Sequence, residues 1–478
     1  MEEIIKWVKK MLLTWFVFFT FLFASCSDNS SVNQILTNNE KKNTLYTDLI
    51  WEEATPASVG IDPALIENAF AYALADETYT QAVIIIKDEK LIYEKYRDIA
   101  ANELDSWNQE ITSLLEYEEV ILLAELQDAF INRDRYSLTT SWSTAKSFIS
   151  ILIGIAIDQG YIESVDESVS TYITEWSNDD RDQITIRNLL DMRSGLPPLC
   201  AGGYHPDNEL ETCMSPSSYG GDLAQVDNQL DACINRTIAE TGVMQPWYQT
   251  WYVGEQTWEK GYLLYSNCDT QVLGELLFRV TGRNLQSYAD INLFSKIGFE
   301  GYWWRDKEMN GQSNGNYLAY CCLDATARDF AKFGQLILNM GLWGDEQIVS
   351  SSYIEKIKNI IVDSVVEEDG SNYSYGLTFW TLDSVQQDDG TMFPAANKVH
   401  SSIGTDGQYV IIDFENNMVL VRNSLYYPMQ FSSFDRKMIA TGDLNTINYP
   451  LTLPFGWFGN YSSFKPSTFL YLVSKSLQ

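Results

Sequence analysis

The chain has 478 residues, with 65 acidic against 32 basic side chains and a net charge of −33. That balance argues against nucleic acid as a partner, because phosphate binding needs a Lys/Arg face, and against a polybasic dock on anionic lipid. Hydrophobic residues at 45% and charged residues at 20% are globular proportions, and the only two histidines, His205 and His400, leave few ways to build a zinc site or a Ser-His-Asp triad.

Lys6, Lys9 and Lys10 precede an apolar run from Met11 to Ala24. The run is shorter than the roughly 20 residues of a membrane-spanning helix, so residues 1–25 are predicted to be a signal peptide. It closes on Phe23-Ala24-Ser25-Cys26, which resembles a bacterial lipobox. The resemblance implies lipid on Cys26 and an exported protein anchored at a membrane, facing the periplasm or cell exterior. The alternative is a plain signal peptide with Cys26 a bystander. Residues 26–50 read as a polar tether. The remaining cysteines, Cys200, Cys213, Cys233, Cys268, Cys321 and Cys322, predict disulfides in an exported chain, with the pairing open and buried thiols as the alternative. No C-x-x-C occurs, so neither a redox motif nor a zinc knuckle is indicated, and no metal or cofactor is expected.

Further along, Gln81 to Tyr96 reads as a hairpin turning at Asp88-Glu89. Ala100 to about Arg135 has helical spacing and many acids, as in an inserted surface segment. Thr144 to Gln159 is apolar nearly all round and predicts a central buried helix ended by Gly160. Helices are also expected over Ile184–Met192, Tyr265–Val280 and Ala325–Asn339. Gln408–Asp413 and Met418–Asn423 should form a second hairpin around Glu415-Asn416-Asn417. After about Thr446 no element is evident. Strands at both ends with helices between suit an antiparallel sheet covered by helices, an α+β arrangement with a helical lobe inserted in the middle.

Three short segments carry chemistry. Ser143-Thr144-Ala145-Lys146 places a lysine one helical turn after a serine, on the same face. The helix N-terminus favours negative charge on the serine oxygen, and a lysine packed under an apolar helix has a lowered pKa and can take the serine proton. A second S-x-x-K, Ser462-Ser463-Phe464-Lys465, runs into Pro466, which a helix interior does not tolerate. Tyr265-Ser266-Asn267 offers a phenol that can shuttle a proton or act as phenolate, and an amide that can hold a carbonyl. His400 to Gln408 leads into a strand, and Gly404 at an edge strand allows close approach of a ligand to the backbone. There a backbone N–H can share an oxyanion with that of Ser143. His400 itself reads as a structural strand residue before a pocket residue.

Taken in order, these segments resemble the serine beta-lactamase and penicillin-binding-protein superfamily, in its class C-like branch. Ile184 to Leu196 is similar to I-T-I-R-x-L-L-x-x-x-S-G-L. Tyr265 to Gly282 is similar to Y-S-N followed by L-L-G and T-G, with Val272 at the first leucine. Ala325 to Gly334 is similar to A-T-A-R-D-L-A-K-F-G. The resemblance implies a beta-lactamase-like α/β fold over residues 51–445, with an all-α lobe inserted roughly over 160–320 and a C-terminal tail over 446–478. It further implies Ser143 as nucleophile, Lys146 and Tyr265 as base and acid, Asn267, Ser402, Ile403, Gly404 and Thr405 as substrate-binding residues, and a small amide or ester as substrate. At the third motif the family has Lys or His, then Thr or Ser, then Gly. Here Ser402-Ile403-Gly404 lacks the cation, which weighs against beta-lactams and is similar to the 6-aminohexanoate-dimer hydrolase-like group. A D,D-peptidase or D-aminopeptidase relative and a non-catalytic sensor are the alternatives.

Overall fold

The computed structural model describes residues 51–106, 130–196, 223, 228–236, 263, 265–306, 315–360, 365–366, 372–386, 392–393, 399–425 and 463–478. The signal peptide, the tether and Cys26, most of the segment between Ala100 and Arg135, His205, Cys200, Cys213 and Ser462 lie outside them. The strands that organise the rest are β1 (Glu52–Glu53), β2 (Thr80–Lys87), β3 (Lys90–Tyr96), β4 (Leu138–Thr140), β5 (Gly301–Trp303), β6 (Leu323–Thr326), β7 (Asn372–Gly376), β8 (Phe379–Gln386), β9 (Val399–Gly404), β10 (Gln408–Asp413) and β11 (Met418–Ser424). The helices used below are α1 (Pro63–Ala73), α2 (Ala145–Asp158), α3 (Ile186–Leu190), α4 (Gln229–Ile234), α5 (Asn267–Thr281), α6 (Ala327–Leu338) and α7 (Pro466–Ser474).

The main sheet runs β1-β3-β2-β11-β10-β9-β8-β7, with Val365–Val366 beyond β7 and Met392–Phe393 on β8. Every pairing is antiparallel except that of β1 with β3. Both expected hairpins form. Asp88 and Glu89 take positive φ values of 51° and 62°, the two-residue turn whose twist matches the flanking strands.

Strand β2 is apolar from Ala82 to Ile86 because both its faces are covered there. Val83 and Ile85 pack with Ile66, Phe70, Leu470 and Val473 of α1 and α7. Ile84 and Ile86 join Phe148, Phe333, Ile412 and Val419 in the larger core on the other face, where α2 and α6 lie. The period of two in a strand thus divides one apolar run between two cores. Helix α7 is a departure from expectation, since its residues read as an element-free tail. Pro466 is the reason it forms, because proline at the first helical position gives up an N–H that has no partner there.

A small sheet, β4-β6-β5, sits beside the main one. Its β5 falls inside the span expected to be all-α, because Gly301–Trp303 pairs with Leu323–Ala325. Elsewhere between residues 160 and 320 the described elements are helices, of which α5 is the longest. The Thr185 side chain opens α3 by a reciprocal cap with Asn188.

Strand β9 was expected at an edge but lies inside the sheet. Strand β8 pairs with it through Trp380 and Ser401 and through Thr381 and His400. That ladder then stops, because Leu377 and Thr378 turn the chain with φ values of 46° and 65° and β8 starts only at Phe379. Ser402, Ile403 and Gly404 therefore pair with β10 alone, and the half of β9 that carries the third motif keeps one open side.

Candidate active site

The nucleophile candidate sits at a corner. Strand β4 ends at Thr140, and Ser141 continues its pairing: its N–H donates to Leu323 O at 2.8 Å, and Leu323 N–H donates back to Ser141 Oγ at 2.9 Å. The chain must then enter α2 almost at once. Trp142 makes the corner with a φ of 44°, a left-handed conformation that a bulky residue adopts only under constraint. One tight turn, Trp142–Thr144, feeds α2. Trp142, Thr144 and Ala145 are buried, while Ser143 between them is partly exposed.

Lys146 lies one turn on, at 1% exposure. Its Nζ is 2.9 Å from Ser143 Oγ and donates to Tyr320 O at 2.8 Å. It also sits over the ring of Tyr265, 4.9 Å from the centroid, and over that of Tyr320 at 5.6 Å. Loss of water alone pushes its pKa well below 10.5. Burial thus favours the neutral amine, the form that can receive the serine proton, and the Tyr320 carbonyl holds one N–H.

Tyr265 completes the group. Its hydroxyl is hydrogen-bonded to Ser143, which lowers its pKa, but burial outweighs that bond and raises the value above 10. The resting residue is a neutral phenol, not a phenolate. Two aromatic residues that the sequence gave no reason to choose hold its ring: Trp380 stacks on it at 5.7 Å and Tyr375 meets it edge-on at 5.6 Å. Both come from the β7–β8 hairpin, and only its pairing beside β9 brings them here.

Ser266 caps α5, accepting from Asp269 N–H, so Tyr265 stands just before that helix and Asn267 is its first residue. This start is clamped. Arg236 Nη1 donates to Ser266 Oγ at 3.1 Å and to Asp269 Oδ1 at 3.0 Å, and Ser194 Oγ donates to Asp269 Oδ1 at 3.0 Å. A Cys233–Cys268 disulfide ties α4 to α5 beside them. The second described disulfide joins the neighbours Cys321 and Cys322.

The third motif closes on the nucleophile turn. A Cβ on Gly404 would lie 2.2 Å from Ser141 O and 3.2 Å from Thr144 Oγ1, so no other residue allows this approach. Thr144 Oγ1 donates to Gln408 O at 3.2 Å. Buried Arg422 holds the following turn, donating to Gly407 O at 2.7 Å and to Asp406 O at 3.2 Å. Ile403 and Thr405 are partly exposed, whereas Ser402 is fully buried. His400 is also fully buried, edge-on to Phe414 at 5.4 Å. Burial lowers its pKa to about 4. The structure thus brings Ser143, Lys146 and Tyr265 together directly and docks Gly404 against their turn. Among the described residues no cluster of His, Cys, Asp or Glu has the makings of a metal site.

The chain is similar to known proteins. A curated 6-aminohexanoate-dimer hydrolase from Paenarthrobacter ureafaciens is 22% identical over 388 residues, 78% of this chain and 80% of the relative. A solved structure from Bacillus anthracis with a provisional assignment of the same name superposes with a TM-score of 0.51 at 20% identity, covering 83% of this chain and 89% of that one. A provisional beta-lactamase structure from Bacteroides dorei gives 0.54 at 15% identity, over 87% and 99%. The beta-lactamase family model matches residues 77–425, well over half of the sequence, and this chain belongs to the beta-lactamase family of serine hydrolases.

Proposed function

We propose that the protein is an exported serine hydrolase that opens an amide or ester bond through an acyl-enzyme on Ser143. The observation that carries this reading is a fully buried lysine amine 2.9 Å from the oxygen of a serine at a constrained corner. In the reaction Ser143 Oγ attacks the carbonyl carbon while its proton passes to the neutral Lys146 amine. Tyr265, bonded to the same oxygen, relays a proton to the leaving amine or alcohol. The N–H groups of Ser143 and Thr405 face the developing oxyanion, and Asn267 steers the substrate. Water attacks the acyl-enzyme by the reverse proton path, which releases the acid and restores Ser143.

The substrate class follows from what surrounds the serine. Ser402-Ile403-Gly404 offers no cation for a carboxylate, and Trp380 and Tyr375 flank the Tyr265 ring. This supports a linear amide or ester as substrate and is in keeping with the name of the Paenarthrobacter relative. Disulfides on the described residues support an oxidising compartment and hence export, with Cys26 the proposed lipid site.

The test is intact mass after exposure to a fluorophosphonate. One adduct is expected on the native protein and none on Ser143→Ala. Hydrolysis of the 6-aminohexanoate dimer, of neutral aryl esters and of D-Ala-terminated peptide then ranks the substrates. Absence of an adduct on folded native protein would overturn the hydrolase reading, and cleavage confined to D-Ala-terminated peptide would replace it with the cell-wall peptidase alternative.

A further inference from the structure

We propose that the bond between Cys321 and Cys322 positions the acyl-transfer machinery, by fixing the peptide carbonyl that orients the Lys146 amine toward Ser143. The inference rests on the acyl-enzyme reading of Ser143 and deepens it.

The argument begins with where the pair sits in the chain. On its N-terminal side, Tyr320 O accepts the Lys146 Nζ hydrogen bond at 2.8 Å. On its C-terminal side, Leu323 makes both bonds to Ser141, the residue from which the nucleophile corner starts. The two linked cysteines are thus the whole covalent path between the acceptor of the base and the anchor of the nucleophile. A disulfide between sequence neighbours closes a ring that contains their own peptide bond. It restricts the two rotations on either side of that peptide, ψ of Cys321 and φ of Cys322, and so narrows the relative positions open to Tyr320 O and Leu323.

The surroundings show a segment already held at every other point. Ala319 N–H donates to Gln271 Oε1 at 2.9 Å, Tyr320 Oη donates to Gln229 Oε1 at 2.7 Å, and Trp304 N–H donates to Cys322 O at 3.0 Å. Gly274 of α5 comes so close that a Cβ there would lie 2.5 Å from Ala319 Cβ. Cys322 has a φ of 65°, a conformation that an open-chain L-residue rarely keeps. It faces Trp142, with its φ of 44°, across the Ser141–Leu323 pair. Two left-handed residues therefore flank one doubly bonded pair, and the ring is what holds one of them.

The chemistry explains why a carbonyl needs such control. A neutral amine has two N–H groups and one lone pair. If Tyr320 O takes one N–H along a fixed direction, the second N–H and the lone pair are left two defined directions, one of which meets Ser143 Oγ at 2.9 Å. If the carbonyl swings, the amine loses that direction, and water gains access to a group whose neutrality depends on being dry. Misplacement of a reacting group by about 1 Å costs about a hundredfold in rate.

The decisive variant is Cys321→Ser/Cys322→Gly. Glycine accepts a φ of 65° freely, so the variant keeps the backbone path and loses only the ring. Its melting temperature reports folding. The rate of fluorophosphonate labelling of Ser143 against pH reports positioning. Labelling is expected to slow at least tenfold, and its pH midpoint to rise as the Lys146 pKa moves back toward its ordinary value. A Cys233→Ser/Cys268→Ser chain serves as control and should keep the wild-type midpoint. Reduction offers the same comparison without a substitution. A dithiothreitol thiolate attacks one cysteine sulfur, and the second thiol of the reagent closes its own ring, leaving two protein thiols and cyclic oxidised reagent. Wild-type protein with the pair reduced, as counted by intact mass after alkylation, should match the Ser/Gly variant, and that variant should not respond. Wild-type rate and midpoint in the folded variant, or in the reduced wild type, would overturn the inference while leaving the hydrolase reading standing. Absence of labelling in native wild type would remove both.

Discussion

Lys146 concentrates the physics of the site in one side chain. Its helix carries no acidic residue in its first turn, its recorded polar partners are a hydroxyl and a carbonyl, and burial alone lowers its pKa. Activity must then rise with pH as the amine loses its proton, with a midpoint well below 10.5, and level off above it. Lys146→Met should lower kcat/KM by about 10²–10⁴-fold and abolish that rise, as steady-state rates across pH will show. His400 gives a second, independent titration. It is held neutral with a pKa near 4 against 6.5 for the free side chain. Between those values the unfolded chain binds a proton that the folded chain refuses, so stability is lost as pH falls from 6.5 to about 4, by about 3 kcal/mol in all. Denaturant midpoints of wild type and His400→Gln should diverge on acidification, the variant losing less. Both residues could be chosen from sequence. Lys146 stood at the right spacing in a helix too apolar to be on the surface, and His400 stood in a strand.

At the scale of elements, the site is an agreement between a corner, a helix start and a strand end. The strand end makes its own prediction. Gly404→Ala places a methyl group against Ser141 O, so β9 must retreat from the nucleophile turn. About 1–3 kcal/mol of stability should go with it, and labelling of Ser143 should slow even where the variant is folded, which separates it from a merely destabilising change. Helices and hairpins were legible because period and punctuation speak locally: Asp88-Glu89 and Gly160 mark boundaries that the fold respects, whereas the starts read at Tyr265 and Ala325 fall one residue before the caps Ser266 and Thr326. What stayed hidden depends on residues distant in sequence. Trp380 and Tyr375 meet Tyr265 only because β8 pairs with β9. Gly404 is required by an oxygen more than half the chain away. The cysteines could be counted but not paired, and a bond between sequence neighbours left no mark on the sequence. Helix α7 was missed because Pro466 was read as a stop when it is a start.

For the whole molecule, the net charge is −33, and burial favours the neutral form of the lysine beside the nucleophile. Cationic neutral-pH esters should therefore be favoured over anionic ones in encounter, and the ratio of their kcat/KM values should fall as salt shortens the screening length from about 30 Å at 0.01 M to about 8 Å at 0.15 M. The sheet joins β2 to β11 across most of the chain, and the two helices over its outer face are no closer in order: Tyr72 Oη of α1 bonds Ser463 O from 391 positions away. A ribosome adding about 5–20 residues per second needs about 20–80 s to cover that distance. Through that interval Val83 and Ile85 lack the cover that Leu470 and Val473 later supply, and that core stays incomplete. The export proposed above would benefit from this delay, since the partner that would lock the sheet is synthesised after the segment that must be threaded first.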